Sequence, residues 1–319
     1  MPRLPALIIV ALALMLQPEG TNAGTAVCAP VDSGRPSICD RDGDGVADSP
    51  LDPSLWRDPE TLVWAFAPIE DPSVYADLLR PFSQHLSACL DRQVVYYPVQ
   101  SNAAEIAAMR SGRLHFAGFS TGPTVEAVRK AGAVPFAAKG SEGRLRGYRL
   151  LAIVRASSPF RTLADLKGHR VAHESPSSNS GNHAPRALFP ELGLVPGRDY
   201  KPLMSGGHDT SILGVVNGDY DMAAVASDVL QRMIERGAVD AEQLRIIYES
   251  APFPTSSFAY AHDLAPDLAE RLKHCFFAFR FTPEMRAAFH GDEEFVPIRY
   301  DKDWAIVRAV VESGRPGAF

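Results

Sequence analysis

From about residue 60 onward the chain repeats one pattern: a short apolar run, a turn of small or hydroxyl residues, then a stretch with apolar positions three to four apart. Leu62 to Ala67 reads as a buried strand. Val74, Leu78, Phe82, Leu86 and Leu90 recur every four residues and so share one helix face. Asp71 and Pro72 stand before them as N-cap and first helical residue, and Pro81 within the stretch predicts a bend. Strands follow at 94–99, 114–119, 148–155, 170–172, 200–204, 222–226, 244–248 and 257–261. Helices are expected at 103–110, 124–130, 184–192, 210–216 and 228–236, and toward the C-terminus at 266–278, 283–290 and 303–311. Alternating strands and helices predict α/β architecture with mainly parallel sheets. In such sheets ligands bind beyond the carboxyl ends of the strands. Three turns fit that place: 120–123, 177–181 and 206–209.

Two of these turns carry the chemistry. Ser177-Ser178-Asn179-Ser180-Gly181 and Gly206-Gly207-His208-Asp209 each fall where a strand hands over to a helix. A helix N-terminus offers unbonded N–H groups and a partial positive charge. Hydroxyls and a glycine beside it make a pocket for a tetrahedral oxyanion. One cap needs a single serine; this cluster exceeds that. Tyr96-Tyr97 and Phe276-Phe277 lie within apolar runs and read as core. His173-Glu174 reads as flanking a strand.

Composition narrows the partners. The chain has 319 residues, 46% hydrophobic, enough for one large or two medium cores. Net charge is −6 with no Lys/Arg block, which argues against nucleic acid. Residues 1–23 read as a signal peptide: Arg3, an apolar run from Leu4 to Met15, and a small-residue cleavage site at Thr21-Asn22-Ala23. The run falls short of the about 20 residues that a membrane span needs. Export to an oxidising compartment makes disulfides of the four cysteines plausible. Cys28 and Cys39 are favoured as a local bridge; Cys89 and Cys275 either pair or stay as buried thiols. Residues 24–58 form an extension in which Asp40, Asp42, Asp44 and Asp48 occupy positions 1, 3, 5 and 9 of a calcium-type loop. Leu51 stands where such a loop ends in glutamate, so a structural Ca²⁺ is expected from the four aspartates alone.

The stretch from Asp165-Leu166-Lys167-Gly168 through the serine turn and Gly206-Gly207-His208-Asp209-Thr210-Ser211 to Asn217-Gly218-Asp219-Tyr220-Asp221 resembles the PhnD-type phosphate/phosphite/phosphonate-binding proteins of ABC importers. Phe66-Ala67-Pro68-Ile69-Glu70-Asp71 and Ala107-Ala108-Met109-Arg110-Ser111-Gly112 are similar too, and the resemblance covers about residues 60–310. It implies a two-lobe periplasmic binding protein of type II (cluster F-like), each lobe a mainly parallel sheet flanked by helices and hinged at the cleft. Lobe 1 would span 59–157, with 254–319 returning to it, and lobe 2 158–253; the crossovers would lie near 155–160 and 250–256. By position, Ser178, Asn179, Ser180 and Gly181 would grip ligand oxygens from one lobe, with a further bond from His208. Ser120 and Thr121 would close the shell from the other. Asn179 departs from the family's usual threonine, and Asn182-His183 from a more apolar pair. Asp228 or Glu249 would contact an amine on an aminophosphonate.

The implied function is capture of a phosphorus oxyanion in the periplasm, by a monomer, for an ABC permease. The alternative is a sensor of a phosphate-like oxyanion or arsenite that signals to a membrane histidine kinase; arsenite would require a cysteine in the cleft. An enzyme is not expected, since no His-Glu-x-x-His or Walker sequence occurs, and no cofactor is expected for function.

Overall fold

The computed structural model describes residues 29–30, 38–67 and 73–313. The expected signal peptide, Cys28 and the helix start at Asp71-Pro72 lie outside the described residues.

Two sheets organise the molecule. The first runs in the order Glu294–Pro297, Ala133–Ser141, Ser257–Ala261, Phe116–Phe119, Thr61–Phe66, Gln93–Tyr96, with Arg144–Leu145 added beside Ala133–Ser141. The second runs Pro202–Met204, Val171–His173, Met222–Ala226, Leu150–Arg155, Leu244–Glu249. Neither is mainly parallel, which corrects the expectation. In the first sheet Phe116–Phe119, Thr61–Phe66 and Gln93–Tyr96 are parallel and the other pairings antiparallel. In the second, Pro202–Met204, Val171–His173 and Met222–Ala226 are parallel, while Leu150–Arg155 enters antiparallel to its neighbours. The alternation of strand and helix stops where the chain passes between sheets, and parallel pairing stops with it.

Hydrogen bonding also corrects a boundary. Leu150–Arg155, expected at the end of lobe 1, belongs to the second sheet, so the first crossing lies before residue 150 rather than at 155–160. Gly147–Tyr148 pairs there with Phe253–Pro254 of the second crossing as a short antiparallel ribbon. Helix Ala305–Ser313, expected on lobe 1, packs Val307, Val310 and Val311 into the core that contains Leu151, Ile153 and Val225, and Glu312 meets Arg129 at 2.6 Å on helix Thr121–Ala131.

The first sheet is clamped by aromatics. Trp64 stacks on Phe116 with ring centres 5.4 Å apart, and Phe82 meets Phe276 edge-on at 4.8 Å. From Phe82 onward the stripe arrives as read, with Phe82, Leu86 and Leu90 buried on one helix, while Leu78 is half-buried on the helix before it. Pro81 does more than bend the helix: it divides the stretch into Ser73–Leu78 and Arg80–Leu90, and stands in the first turn of the second piece, where its missing N–H costs nothing. Arg80–Leu90 is stapled to helix Pro266–Ala278 by a Cys89–Cys275 disulfide, across 186 residues of sequence. Cys39 is disulfide-bonded as well; its expected partner Cys28 lies outside the described residues.

A bridge closing so long a loop removes much unfolded-chain entropy. The double variant Cys89→Ala, Cys275→Ala is therefore expected to lose about 3–5 kcal/mol in urea unfolding. A loss under about 1 kcal/mol would show that the aromatic packing alone holds the two helices together.

Candidate functional site

The parallel halves of both sheets aim their strand ends at one cavity of about 330 Å³. From the second sheet, strand Val171–His173 leads into the serine turn, which winds as a wide π-type turn over Asn179–His183 before helix Ala184–Leu188. Ser178 is its N-cap, its Oγ accepting from Gly181 N at 3.0 Å. From the first sheet, strand Phe116–Phe119 leads into helix Thr121–Ala131, capped at Ser120. The two helix starts touch. A Cβ on Gly122 would fall 2.3 Å from Ser177 O and 2.9 Å from Asn179 N, so only glycine permits this approach.

Six of the seven residues expected to hold an oxyanion line this cavity: Ser178, Asn179, Ser180, His208, Ser120 and Thr121. Gly181 does not. Its Cα faces Glu174 Cβ and Ser178 Oγ, where a Cβ would come within 2.4 and 2.7 Å, so it lets the turn close rather than touching a ligand. Asn179 Oδ1, Ser180 Oγ and His208 Nδ1 are buried side-chain atoms without a hydrogen-bond partner in the protein. Orphaned polar atoms in such positions are costly unless something binds them. The hydroxyls of Ser120 and Thr121 are used otherwise: they donate to Asn102 Oδ1 and to Pro254 O, both at 3.0 Å. What this side offers an anion is the start of helix Thr121–Ala131 with its dipole, rather than the two hydroxyl protons.

Several cavity residues carried no local signal. The Tyr148 hydroxyl accepts from Asn179 Nδ2 at 3.0 Å and orients that amide. Thr255, on the second crossing, turns a buried, unpartnered hydroxyl to the same space, and Asp228 a buried, unpartnered Oδ1. Glu249, the other acid considered for an amine, pairs with Arg149 at 3.1 Å, half exposed and away from the cavity. Lys139 reaches the cavity from strand Ala133–Ser141, which the hydrophobic pattern had not revealed.

Behind the serine turn a buried network holds its shape. His173 Nδ1 donates to Asn182 Oδ1 at 2.9 Å, and its Nε2 accepts from Tyr200 OH at 2.8 Å. Asn182 Nδ2 donates to Pro176 O at 2.8 Å, and Arg186 Nε adds a donor to Asn182 Oδ1. Burial, reinforced by Arg186, brings the His173 pKa down to about 4 although the Asn182 bond opposes the shift.

The aspartate loop lies elsewhere. Carboxylate oxygens of Asp40, Asp42 and Asp48 come within 4.8 Å of one another, but Asp44, expected as a fourth ligand, is not in that group; it turns to Val46 N at 2.9 Å. Burial raises its pKa. Leu51 is 80% exposed, so nothing closes the loop at its twelfth position. The loop rests near Tyr300 and Arg308, beside the C-terminal helix. Cys89 and Cys275 are bonded to each other and Cys39 is bonded too, so the described residues offer no thiolate to arsenite.

Residues 64–304 match the family described as ABC transporter, phosphonate, periplasmic substrate-binding protein. The chain belongs to this family. It is 29% identical over 244 residues to the phosphate-import protein PhnD of Mycolicibacterium smegmatis, covering 72% of this chain and 75% of the relative. A binding-protein component of a Pseudomonas aeruginosa ABC phosphonate transporter shares the fold, with a TM-score of 0.70 and 20% identity over 82% of this chain and 90% of that one. So does PhnD1 of Prochlorococcus marinus, solved in complex with methylphosphonate (TM-score 0.70, 19% identity, 79% of this chain and 97% of that one). The architecture is thus the two-lobe fold of type II periplasmic binding proteins.

The buried imidazole generates a pH test. The unfolded chain protonates this histidine near 6.5, whereas the folded chain resists until about 4. Its contribution to stability is therefore full above pH 6.5 and is lost as pH falls toward 4. Wild type should lose about 3 kcal/mol more than His173→Gln between pH 7 and 4, read from urea midpoints. Parallel pH profiles would show that the imidazole is already solvated.

Proposed function

We propose that the chain is the periplasmic substrate-binding component of an ABC importer and captures a phosphonate- or phosphate-type oxyanion between its two lobes. The observation that carries this reading is the convergence of Asn179, Ser180 and His208, each with a buried unpartnered atom, on a cavity that meets helix N-termini from both sheets. The Ser180 hydroxyl and the His208 ring nitrogen can donate to a hard oxyanion, whereas Asn179 Oδ1 accepts and suits a hydroxyl proton carried by the ligand. Family membership favours the importer over the kinase-linked sensor.

Lobe 1 in this reading comprises the first sheet and its helices, lobe 2 the second, and the ribbon of Gly147–Tyr148 with Phe253–Pro254 is the hinge. Export through residues 1–23 delivers the chain to the periplasm, where it acts as a monomer; among the described residues no helix is long and apolar enough to cross a membrane. Asp228 Oδ1 supports an ammonium-bearing phosphonate as ligand, since a buried carboxylate oxygen calls for a donor. Capture requires no turnover and no cofactor. The Asp40–Asp42–Asp48 group supports a structural Ca²⁺ that orders the N-terminal extension.

Isothermal titration with phosphate, phosphite, methylphosphonate, aminoethylphosphonate and sulfate tests the main reading. At least one phosphorus oxyanion should bind in preference to sulfate, and Ser180→Ala should weaken it by about 1.5–3 kcal/mol. Unchanged affinity in that variant would remove the serine turn from the site; binding of sulfate alone would overturn the ligand class. Separately, EDTA should lower the melting temperature and added Ca²⁺ restore it. A melting curve indifferent to both would make the aspartate loop a self-capped turn.

A further inference from the structure

The unpartnered polar atoms around the cavity are unevenly shared. Asn179 Oδ1, Ser180 Oγ, His208 Nδ1 and Asp228 Oδ1 all lie in the stretch 150–249 that builds the second sheet. Among the described residues, one unpartnered buried atom at the cavity comes from outside that stretch: the hydroxyl oxygen of Thr255.

On the first-sheet side the other hydroxyls are spent. Ser120 donates to Asn102 Oδ1 and Thr121 to Pro254 O. Thr124 donates to Ser120 O at 3.0 Å and accepts from Ser257 Oγ at 2.8 Å. The helix start adds little more. Pro123 has no N–H and Thr124 N bonds Ser120 O at 2.9 Å, so its offer is the N–H groups of Thr121 and Gly122. A phosphoryl head presents several oxygens with about two lone pairs each, more than two N–H groups on this side can satisfy.

Thr255 is held where it can meet that need. Pro254, the residue before it, accepts from Thr121 Oγ1 at 3.0 Å, and Ser257, two residues on, is bonded to Thr124. The chain is thus strapped to the first turn of helix Thr121–Ala131 on both sides of Thr255. Phe253 pairs with Tyr148, whose hydroxyl accepts from Asn179, and Gly122 in the same helical turn meets Ser177 and Asn179. Thr255 therefore stands where the helix start, the serine turn and the second crossing come together. Its side chain is half-buried, and its oxygen is sealed from solvent without a partner in the protein. A hydroxyl in that state is costly unless something accepts its proton.

Building on the proposed capture of an oxyanion, we propose that Thr255 is a binding residue: its hydroxyl donates to an oxygen of the phosphoryl head and closes the shell from the first-sheet side. That is the part the sequence assigned to the hydroxyls of Ser120 and Thr121. Because Thr255 directly follows the ribbon of the second crossing, the same bond joins the ligand to the connection between the two sheets. A hydroxyl that serves a ligand and not the fold has a signature: its removal weakens binding without weakening the ligand-free protein.

Titration of wild type, Thr255→Val and Thr255→Ser with phosphate, methylphosphonate and aminoethylphosphonate, together with melting curves of the ligand-free proteins, tests this. Thr255→Val should weaken every phosphorus ligand that wild type binds by about tenfold or more, the low end for a hydrogen bond to a charged group. Thr255→Ser should keep most of the affinity. Ligand-free Thr255→Val should melt at or above the wild-type temperature, since a methyl group replaces a buried orphan hydroxyl. Three results would overturn the inference: a loss confined to aminoethylphosphonate, since Thr255 would then serve the substituent; an equal loss in Thr255→Ser; or a loss accompanied by a lower melting temperature of ligand-free Thr255→Val, the mark of a structural hydroxyl. If Thr255→Val does not fold, Thr255→Ala and Thr255→Ser, which differ only in the hydroxyl, decide in its place. Wild-type affinity in Thr255→Val beside a weakened Ser180→Ala would overturn this inference and leave the capture reading standing; binding of no phosphorus oxyanion by wild type would overturn both.

Discussion

Two helix N-termini brought face to face repel each other, since each carries a partial positive charge and unbonded N–H groups. The contact of Gly122 with Ser177 and Asn179 sets up that confrontation at the centre of the molecule. An anion between them turns the repulsion into attraction. Much of the surrounding structure serves to hold the two starts in place. On one side the strand before Ser120 lies in a sheet clamped by Trp64, Phe116 and Phe258 and stapled by Cys89–Cys275. On the other, the His173–Asn182–Tyr200 network fixes a turn too wide for ordinary helical hydrogen bonding.

The connections between the halves touch the same place. Tyr148, on one crossing, accepts from Asn179; Pro254, on the other, accepts from Thr121. The residues of this ribbon are thus bonded to residues that line the cavity, so the crossings and the cavity share their contacts. Trp304, leading into the C-terminal helix, donates to Thr121 O at 3.2 Å, and that helix packs on the second core. It ties the first helix start to the opposite sheet independently of the two crossings.

Much of this was legible along the chain. The serine turn, the Gly-Gly-His-Asp turn and the stripe of Phe82, Leu86 and Leu90 rest on interactions within one turn of helix, which residue type and spacing express directly. Strand Ala133–Ser141 was not read, because Pro135, Lys139 and Gly140 interrupt any alternation; it is held by strands from near residues 257 and 294, each more than a hundred residues away. Lys139 was lost with it. Thr255 and Tyr148 were missed for a similar reason, since each lies on a crossing whose partner is about a hundred residues distant.

By itself the sequence determined the α/β class, the turns where helices begin, the family, and the residue types able to meet an oxyanion, since all of these follow from short-range spacing and capping. Only the tertiary structure decided that Leu150–Arg155 joins the second sheet, that Cys89 meets Cys275, that Asp44 leaves the aspartate group, and that the Ser120 and Thr121 hydroxyls are already engaged. It alone brought Lys139, Asp228 and Thr255 into one space. Contacts between residues a hundred or more positions apart are chosen by packing and by the need to satisfy buried polar groups, and no local pattern encodes which distant partner will arrive.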